Sequence, residues 1–319
     1  LENGYTPSTL VLDAPFVIEQ GVGLKKWKPQ NYGKKFYGPS TLRKGLEKSR
    51  NLMTVRIAQS LGFEKISKIS KNFGIYENVP EVLSVSLGSG ETTLLKLTSA
   101  YCSFVNGGKK VEPVLIDRIQ DRRGKTIFNA DKRQCIGCDE ISYLDDKIPT
   151  IKDKREQVIT KESAYQILSM LEGVVQRGTG RKLRQLNLPL AGKTGTTNDN
   201  MDAWFIGLTS NLVIGAYVGF DEPKSLGKYE TGAKAALPIV KKFVENAIDR
   251  KDFRSFNIPE TIYLVMVDSE TGMPSEYNKK RTIFESFKFN ESLDSINLLT
   301  TDKFKVYNKK ASEKILRFY

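Results

Sequence analysis

The chain has 319 residues, room for about two domains at roughly 150 residues each, and 39% hydrophobic with 27% charged content marks a globular chain with a real core. Lys and Arg number 50 against 37 Asp and Glu, a net charge of +13. Histidine is absent, which excludes Ser-His-Asp and Cys-His nucleophile systems, HExxH zinc sites and any histidine base, so proton transfer in an enzyme of this sequence runs through Lys, Ser, Tyr, Asp or Glu.

In chain order, residues 1–39 read as extended and turn-rich, with a short apolar run at 16–18. Ser40 reads as the N-cap of a helix carrying Leu42 and Leu46 on one face. A second helix is expected over 52–61, with Met53, Ile57 and Leu61 at spacing four and Gly62 as its stop. Ser49-Arg50-Asn51 then falls at a helix–helix junction. Further helices are expected over 64–73, ended by Gly74, and 93–105, ended by Gly107-Gly108. Residues 109–158 mix strands, turns and charge, as in an inserted lobe. Thr160 caps the clearest helix, 161–177, whose apolar residues repeat with helical period and which Gly178 ends. The period then changes, and 188–197, 203–209 and 212–220 read as an antiparallel meander with a tight turn at Ser210-Asn211. Pro238 opens a last helix. Short strand-like runs and a basic tail follow over 251–319. Helices, then strands, then a helix laid back on the sheet predict an α+β fold.

No run of about 18 apolar residues is present, so no helical membrane span is expected. The chain opens at Leu1 without a basic-then-apolar segment, so no signal peptide is visible, and Leu-Glu-Asn-Gly reads as cut from something longer. Three cysteines without histidine fall short of a structural zinc site; Cys135 and Cys138 read as exposed and metal-free, with a short disulfide open to them, and no metal or cofactor is expected. The positive surplus is scattered and has no nucleic-acid-binding motif beside it, so it reads as a solvated basic surface and no nucleic-acid partner is expected.

The chemistry concentrates at Lys193-Thr194-Gly195-Thr196-Thr197. The lysine supplies charge, the hydroxyls of Thr194 and Thr196 share one strand face, and Gly195 clears the space between them. Such an edge pairs with an extended peptide and grips a carboxylate. Ser49-x-Asn51 precedes it, and Ser-x-Asn with Lys-Thr-Gly and Ser-x-x-Lys forms the motif set of serine β-lactamases and penicillin-binding proteins. The stretch 190–207 resembles the Lys-Thr-Gly region of class A, bifunctional penicillin-binding proteins. Further stretches match in order: 27–33, 37–51, Leu87-Gly-Ser-Gly-Glu91, Ala100-Tyr101 with Asn106-Gly107-Gly108, 174–180 and Gly219-Phe-Asp221. The resemblance is to the 1A type and spans roughly residues 1–250, the expected transpeptidase domain, with 251–319 as a C-terminal extension.

The resemblance implies the penicillin-binding, serine β-lactamase-like fold, a helical subdomain with an antiparallel sheet, and a D,D-transpeptidase of cell-wall synthesis. Its partners would be peptidoglycan stem peptides, a lipid-linked precursor and β-lactams. In the family a serine attacks the D-Ala-D-Ala carbonyl and a neighbouring stem's amine displaces the enzyme. Ser49 would relay a proton to the leaving amine, Asn51 would bind substrate backbone, and Lys193 would stabilise charge and tune Ser49. Thr194 and Thr196 would hold the terminal carboxylate, with Gly195 between them, and the Thr196 N–H would form half of the oxyanion hole. Asp202, Trp204 and Phe205 would support the strand.

One departure stands out. The family's nucleophilic Ser-x-x-Lys is not in its usual place, and the only literal match, Ser225-Leu-Gly-Lys228, lies in a turn-rich segment without helical spacing. The chain is therefore expected to be N-terminally truncated, with the nucleophile, a glycosyltransferase domain and an inner-membrane anchor upstream and this domain on the periplasmic side. Alone it is expected to resist penicillin and to be poorly stable, with an unpaired edge at 212–220, unless an upstream fragment of the same protein is supplied. A D,D-carboxypeptidase or β-lactamase-like hydrolase, and an inactive peptidoglycan-binding scaffold from a split gene, are the alternative readings.

Overall fold

The computed structural model describes residues 1–18, 26–133, 135–136, 150–277, 279–291, 298–299 and 306–307. Strand β1 (Leu10–Asp13) pairs antiparallel with β2 (Gly38–Thr41), Leu10 opposite Thr41. Four helices follow: α1 (Leu42–Glu47), α2 (Asn51–Leu61), α3 (Phe63–Asn72) and α4 (Leu94–Val105). The described residues between 109 and 158 carry β3 (Arg118–Gln120), β4 (Thr126–Asn129), β5 (Cys135–Ile136) and β6 (Thr150–Ile151), paired two by two. Helix α5 (Lys161–Gln176) leads to the meander β7 (Ala191–Thr196), β8 (Ala203–Leu208) and β9 (Val213–Val218), and α6 (Leu237–Ala247) closes this part. A hairpin of β10 (Ile262–Asp268) and β11 (Thr282–Lys288) follows. Strands β12 (Leu298–Leu299) and β13 (Val306–Tyr307) extend the β1–β2 sheet, β12 running parallel to β1.

The sheet β7–β8–β9 is the middle of a sandwich, because successive residues of β8 face opposite ways. Ala203 and Phe205 pack with Leu237, Val240 and Val244 of α6. Ile206 and Leu208 pack with Leu168, Leu171 and Val174 of α5 and with the partly buried Leu94 and Leu97 of α4. Helix α5 has the apolar stripe for this position; the hydroxyl of Thr160 caps its first turn by accepting from the Ser163 N–H. Layered helices and antiparallel strands make the fold α+β.

Two local features differ from the sequence reading. Thr41, not Ser40, caps α1: its hydroxyl accepts from the Lys44 N–H at 3.2 Å. Ser40 belongs to β2, is buried, and accepts from Arg50 Nη1 at 2.6 Å. Residues 1–39 also contribute strand β1, whose Leu10 and Val11 are core residues. Cys138 lies outside the described residues and the Cys135 side chain is likewise not described. Cys102 is a free, half-buried thiol.

The joint between α1 and α2 has a defined geometry. The Ser49 N–H donates to the Leu46 carbonyl at 3.1 Å and the Arg50 N–H to the Gly45 carbonyl at 2.9 Å. These are the two bonds of a Schellman cap, whose C′ position is left-handed and normally taken by glycine. Ser49 occupies it with φ +52°. An L-residue costs about 1 kcal/mol or more there. Accordingly, Ser49→Gly should be about 1 kcal/mol more stable than Ser49→Ala, both lacking the hydroxyl, in equilibrium denaturant unfolding. Equal midpoints would show that no backbone strain is held at this joint.

Candidate active site

The Schellman joint presents the Ser49 side chain to the open edge of β7. Lys193 reaches it across the layers, its Nζ donating to Ser49 Oγ at 2.8 Å and to the Thr194 carbonyl at 2.8 Å. Lys193 lies opposite Ile206 in the β7–β8 register, on the α5 face of the sheet. Both of its recorded acceptors are neutral oxygens. Among the described residues no carboxylate forms an ion pair with it. Burial of the ammonium end lowers the Lys193 pKa to about 8.

Thr194 and Thr196 lie opposite Phe205 and Ala203, hence on the other face. Their hydroxyls already have protein partners. Thr194 Oγ1 is 2.8 Å from Thr179 Oγ1, and Thr196 Oγ1 accepts from the Gly232 N–H at 3.0 Å. Because Thr196 accepts there, its own hydroxyl hydrogen stays available to an incoming anion. Gly232 is required by this contact: a Cβ on it would stand within contact of the Trp204 and Gly195 carbonyls. A Cβ on Gly195 would meet that of Trp204 at 3.0 Å, which keeps the centre of the motif bare.

Asn51 starts α2 and donates from Nδ2 to the Gln30 carbonyl at 2.9 Å. The neighbouring Asn31 ties the 27–33 stretch to the joint. It donates to Asp13 Oδ1 at 2.8 Å and to the Lys35 carbonyl at 2.8 Å, and it accepts from the Leu52 N–H at 3.3 Å. Arg50 lies over the Tyr37 ring, 4.0 Å from its centroid, and 3.7 Å from Asp13. Burial pushes the Asp13 carboxyl above its ordinary pKa against the lowering pull of Asn31 and Arg50. Lys48 donates to the Arg177 carbonyl at 2.5 Å. Its pKa is lowered first by burial; the Glu47 charge opposes this, while Arg181, Arg50 and Arg177 add to it. Cationic side chains thus gather around the joint, two of them, Arg50 and Arg177, beside carboxylates.

The structure therefore brings Ser49, Lys193, Thr194 and Thr196 to one edge of β7, with Asn51 at the head of α2. Asp202 accepts from the Tyr217 hydroxyl at 2.8 Å, and Trp204 packs on the Tyr217 ring at 4.6 Å. Phe205 is fully buried. Ser225 and Lys228 do not meet as a pair: the Ser225 hydroxyl donates to the Asp199 carbonyl at 2.7 Å, and the Lys228 ammonium lies over the Tyr229 ring. Sequence reasoning did not single out Thr179, Gly232 or Asn31. Thr179 and Asn31 fall within matched stretches, 174–180 and 27–33. Gly232 carried no signal beyond being a glycine beside a β-strand region.

The family model of the penicillin binding protein transpeptidase domain matches residues 1–245. Penicillin-binding protein 1A of Rickettsia conorii is 46% identical over 292 residues, which cover 91% of this chain and 37% of that protein. The crystal structure of penicillin-binding protein 1A from Haemophilus influenzae superposes with a TM-score of 0.78 at 32% identity, covering 92% of this chain and 46% of that one. PonA1 from Mycobacterium tuberculosis, in complex with penicillin V, shares the fold with a TM-score of 0.61 at 21% identity, over 81% of this chain and 67% of that chain. The chain thus spans well under half the length of the curated relative. With the domain model covering most of its residues and the sandwich superposing on that fold, the chain belongs to the penicillin-binding protein transpeptidase family.

Proposed function

We propose that residues 1–250 form the part of a D,D-transpeptidase domain that binds the D-Ala-D-Ala end of a peptidoglycan stem peptide and moves protons for its acyl transfer, with 251–319 following as a C-terminal extension. The observation that carries this is the 2.8 Å contact of Lys193 with Ser49 at an open strand edge. The stem peptide would lie along β7, Thr194 and Thr196 would hold its terminal carboxylate, and the Asn51 side chain would bind its backbone. The attacking serine is not assigned within these 319 residues. When a serine oxygen bonds to the penultimate carbonyl carbon, the C–N bond to the terminal D-alanine breaks and its nitrogen needs a proton. Ser49 would deliver it, since its oxygen already accepts from the Lys193 ammonium and its hydrogen is left to donate. The ammonium would then reprotonate Ser49, and the hydrogen given up by the attacking serine would restore the ammonium, so the protons balance. An amine of a neighbouring stem would then take the acyl group. Release by water instead would make the product a trimmed stem, and product analysis with amine acceptors separates the two. In cells the domain would work on the periplasmic side of the inner membrane, although no helix of the described residues is long and apolar enough to cross a membrane.

Two outcomes test this in the protein at the length its gene encodes. Ser49→Ala and Lys193→Met should each slow covalent labelling by penicillin about 10²–10⁴-fold. Labelling within threefold of the parent would remove both residues from the reaction.

The pH dependence has a definite sign. Lys193 is charged below about pH 8 and neutral above it. A neutral lysine accepts the Ser49 hydrogen and turns it away from the leaving group, so acylation should fall as pH rises through about 8. A lysine ¹³C NMR titration should show one midpoint near 8 that Lys193→Met deletes. An acylation profile flat across that midpoint would refute the role given to the charged form.

A further inference from the structure

The β10–β11 hairpin lies beyond the residues matched by the family model, yet it sends a carboxylate into the middle of the molecule. Glu285, on β11, is 1% exposed. Its Oε2 accepts from Arg43 Nε at 2.5 Å and its Oε1 from Arg43 Nη2 at 2.6 Å, a two-pronged pair. Arg43 stands on α1, the helix that ends at the Ser49 joint. It also donates to the Ser169 carbonyl and hydroxyl of α5, both at 2.9 Å, and reaches Glu47 Oε1 at 3.5 Å.

Glu47 is the last residue of α1, two before Ser49. Its carboxylate accepts from Arg177 Nη2 at 2.5 Å, and its carbonyl accepts from the Thr179 N–H at 3.1 Å. Thr179 Oγ1 in turn meets Thr194 Oγ1. The approach of α1 to α5 depends on two glycines. A Cβ on Gly173 would stand within contact of the Glu47 carboxylate, and one on Gly178 within contact of the Glu47 carbonyl. The missing side chains at these two positions admit Glu47 to its place.

We propose that Glu285 is a positioning residue: through Arg43 and Glu47 it sets where the α1–α2 joint places Ser49 against Lys193. This rests on the reading of Ser49 and Lys193 as the proton-transferring pair. Arg43 and Arg177 are each hydrogen-bonded to a carboxylate, with the Glu172 carboxyl close to both, and Arg43 divides its donors between Glu285, Glu47 and Ser169. Without the Glu285 charge, Glu47 is the one carboxylate still hydrogen-bonded to Arg43 among the described residues, with Glu172 near enough to act on Arg43 and Arg177 through its charge. Arg43 then draws Glu47 from Arg177, which shifts the end of α1 beneath Ser49. Burial acts to lower the Arg43 pKa, but the charges and hydrogen bonds of Glu285 and Glu47 outweigh it and raise the net value, so the guanidinium stays charged and the pull persists. The hairpin is held to α5 independently, since Gln166 Nε2 donates to the Ser286 carbonyl at 3.1 Å and to Glu291 Oε2 at 2.8 Å.

The test uses the protein at its encoded length, with Glu285→Gln, the paired Arg43→Met/Glu285→Met and Glu291→Gln. The paired variant removes the tie without stranding a buried charge, so it keeps the question open to measurement if Glu285→Gln fails to fold. Two readouts are taken: the rate constant of penicillin acylation and the Lys193 midpoint by lysine ¹³C NMR. The proposal expects acylation at least tenfold slower in Glu285→Gln and the paired variant. It also expects the Lys193 midpoint to move up from about 8 as Ser49 withdraws and water enters, with thermal stability of the paired variant near the parent's. Glu291→Gln, which perturbs the hairpin without touching α1, should stay within twofold. Acylation within twofold and an unmoved midpoint in the paired variant would overturn the proposal. An equal loss in Glu291→Gln would also overturn it, by showing that hairpin docking alone matters. Loss of acylation in Ser49→Ala alongside an unaffected paired variant would refute the role of Glu285 while leaving the site reading intact. Retained acylation in Ser49→Ala would remove that reading, and this proposal with it.

Discussion

Lys193 and Ser49 are 144 residues apart in the chain, and the hydrogen bond between them depends on both the sheet and the helical layer keeping their places. A contact of that length cannot be supported locally. Lys193 is set by its register against Ile206, and that register is fixed because a shift of one residue would turn the apolar face of β8 inside out. Ser49 is set by the end of α1, which packs at Gly173 of α5 and at Gly178 just past the end of α5. Helix α5 is thus the common reference, packing its stripe on the sheet and making room for α1 at Gly173. A cavity at Leu168 or Val174 would act on the site through both partners at once.

The helices were legible because each carried its own punctuation. Thr93 and Thr160 cap the helices that follow them, and Gly62 and Gly74 sit where their helices stop. The meander was legible through its change of period and its turn at Ser210-Asn211. Strand β2 was not, because Gly38-Pro39-Ser40-Thr41 reads as a turn and becomes a strand only by pairing with a segment far back in the chain. Strand β11 escaped for a related reason. Thr-Ile-Phe-Glu-Ser-Phe-Lys buries Glu285 and Ser286, polar residues that local patterning assigns to solvent. What places them inside is an arginine 242 residues away.

The members of the site divide the same way. Lys193, Thr194, Gly195, Thr196, Ser49 and Asn51 stand out as motif residues. Arg43 and Glu47, by contrast, look like ordinary charges on an exposed helix. Their spacing of four suits a surface pair, which contributes little. Burial changes their meaning: with side chains 3% and 5% exposed, they must be mutually satisfied or the fold carries an uncompensated charge. A single sequence holds no local mark of that difference, since it arises from what the hairpin and α5 bring to the cluster.

The site departs from the pattern of fully satisfied interior charge in one place. In the Arg43 cluster each guanidinium meets a carboxylate, whereas Lys193 is held by a hydroxyl and a carbonyl only. Its lowered pKa records that desolvation is not repaid by a counter-charge. A carboxylate arriving at Thr194 and Thr196 would supply it, raising the lysine's affinity for its proton as the ligand binds. In the function proposed above, binding and protonation would favour each other, and a ligand anion would draw Lys193 into the charged form in which Ser49 could donate. The strained serine cap works to the same end, since glycine would fit the joint better but would offer no hydroxyl. The folded state gives up stability at Ser49 and again at Lys193, the two residues proposed above to move the proton.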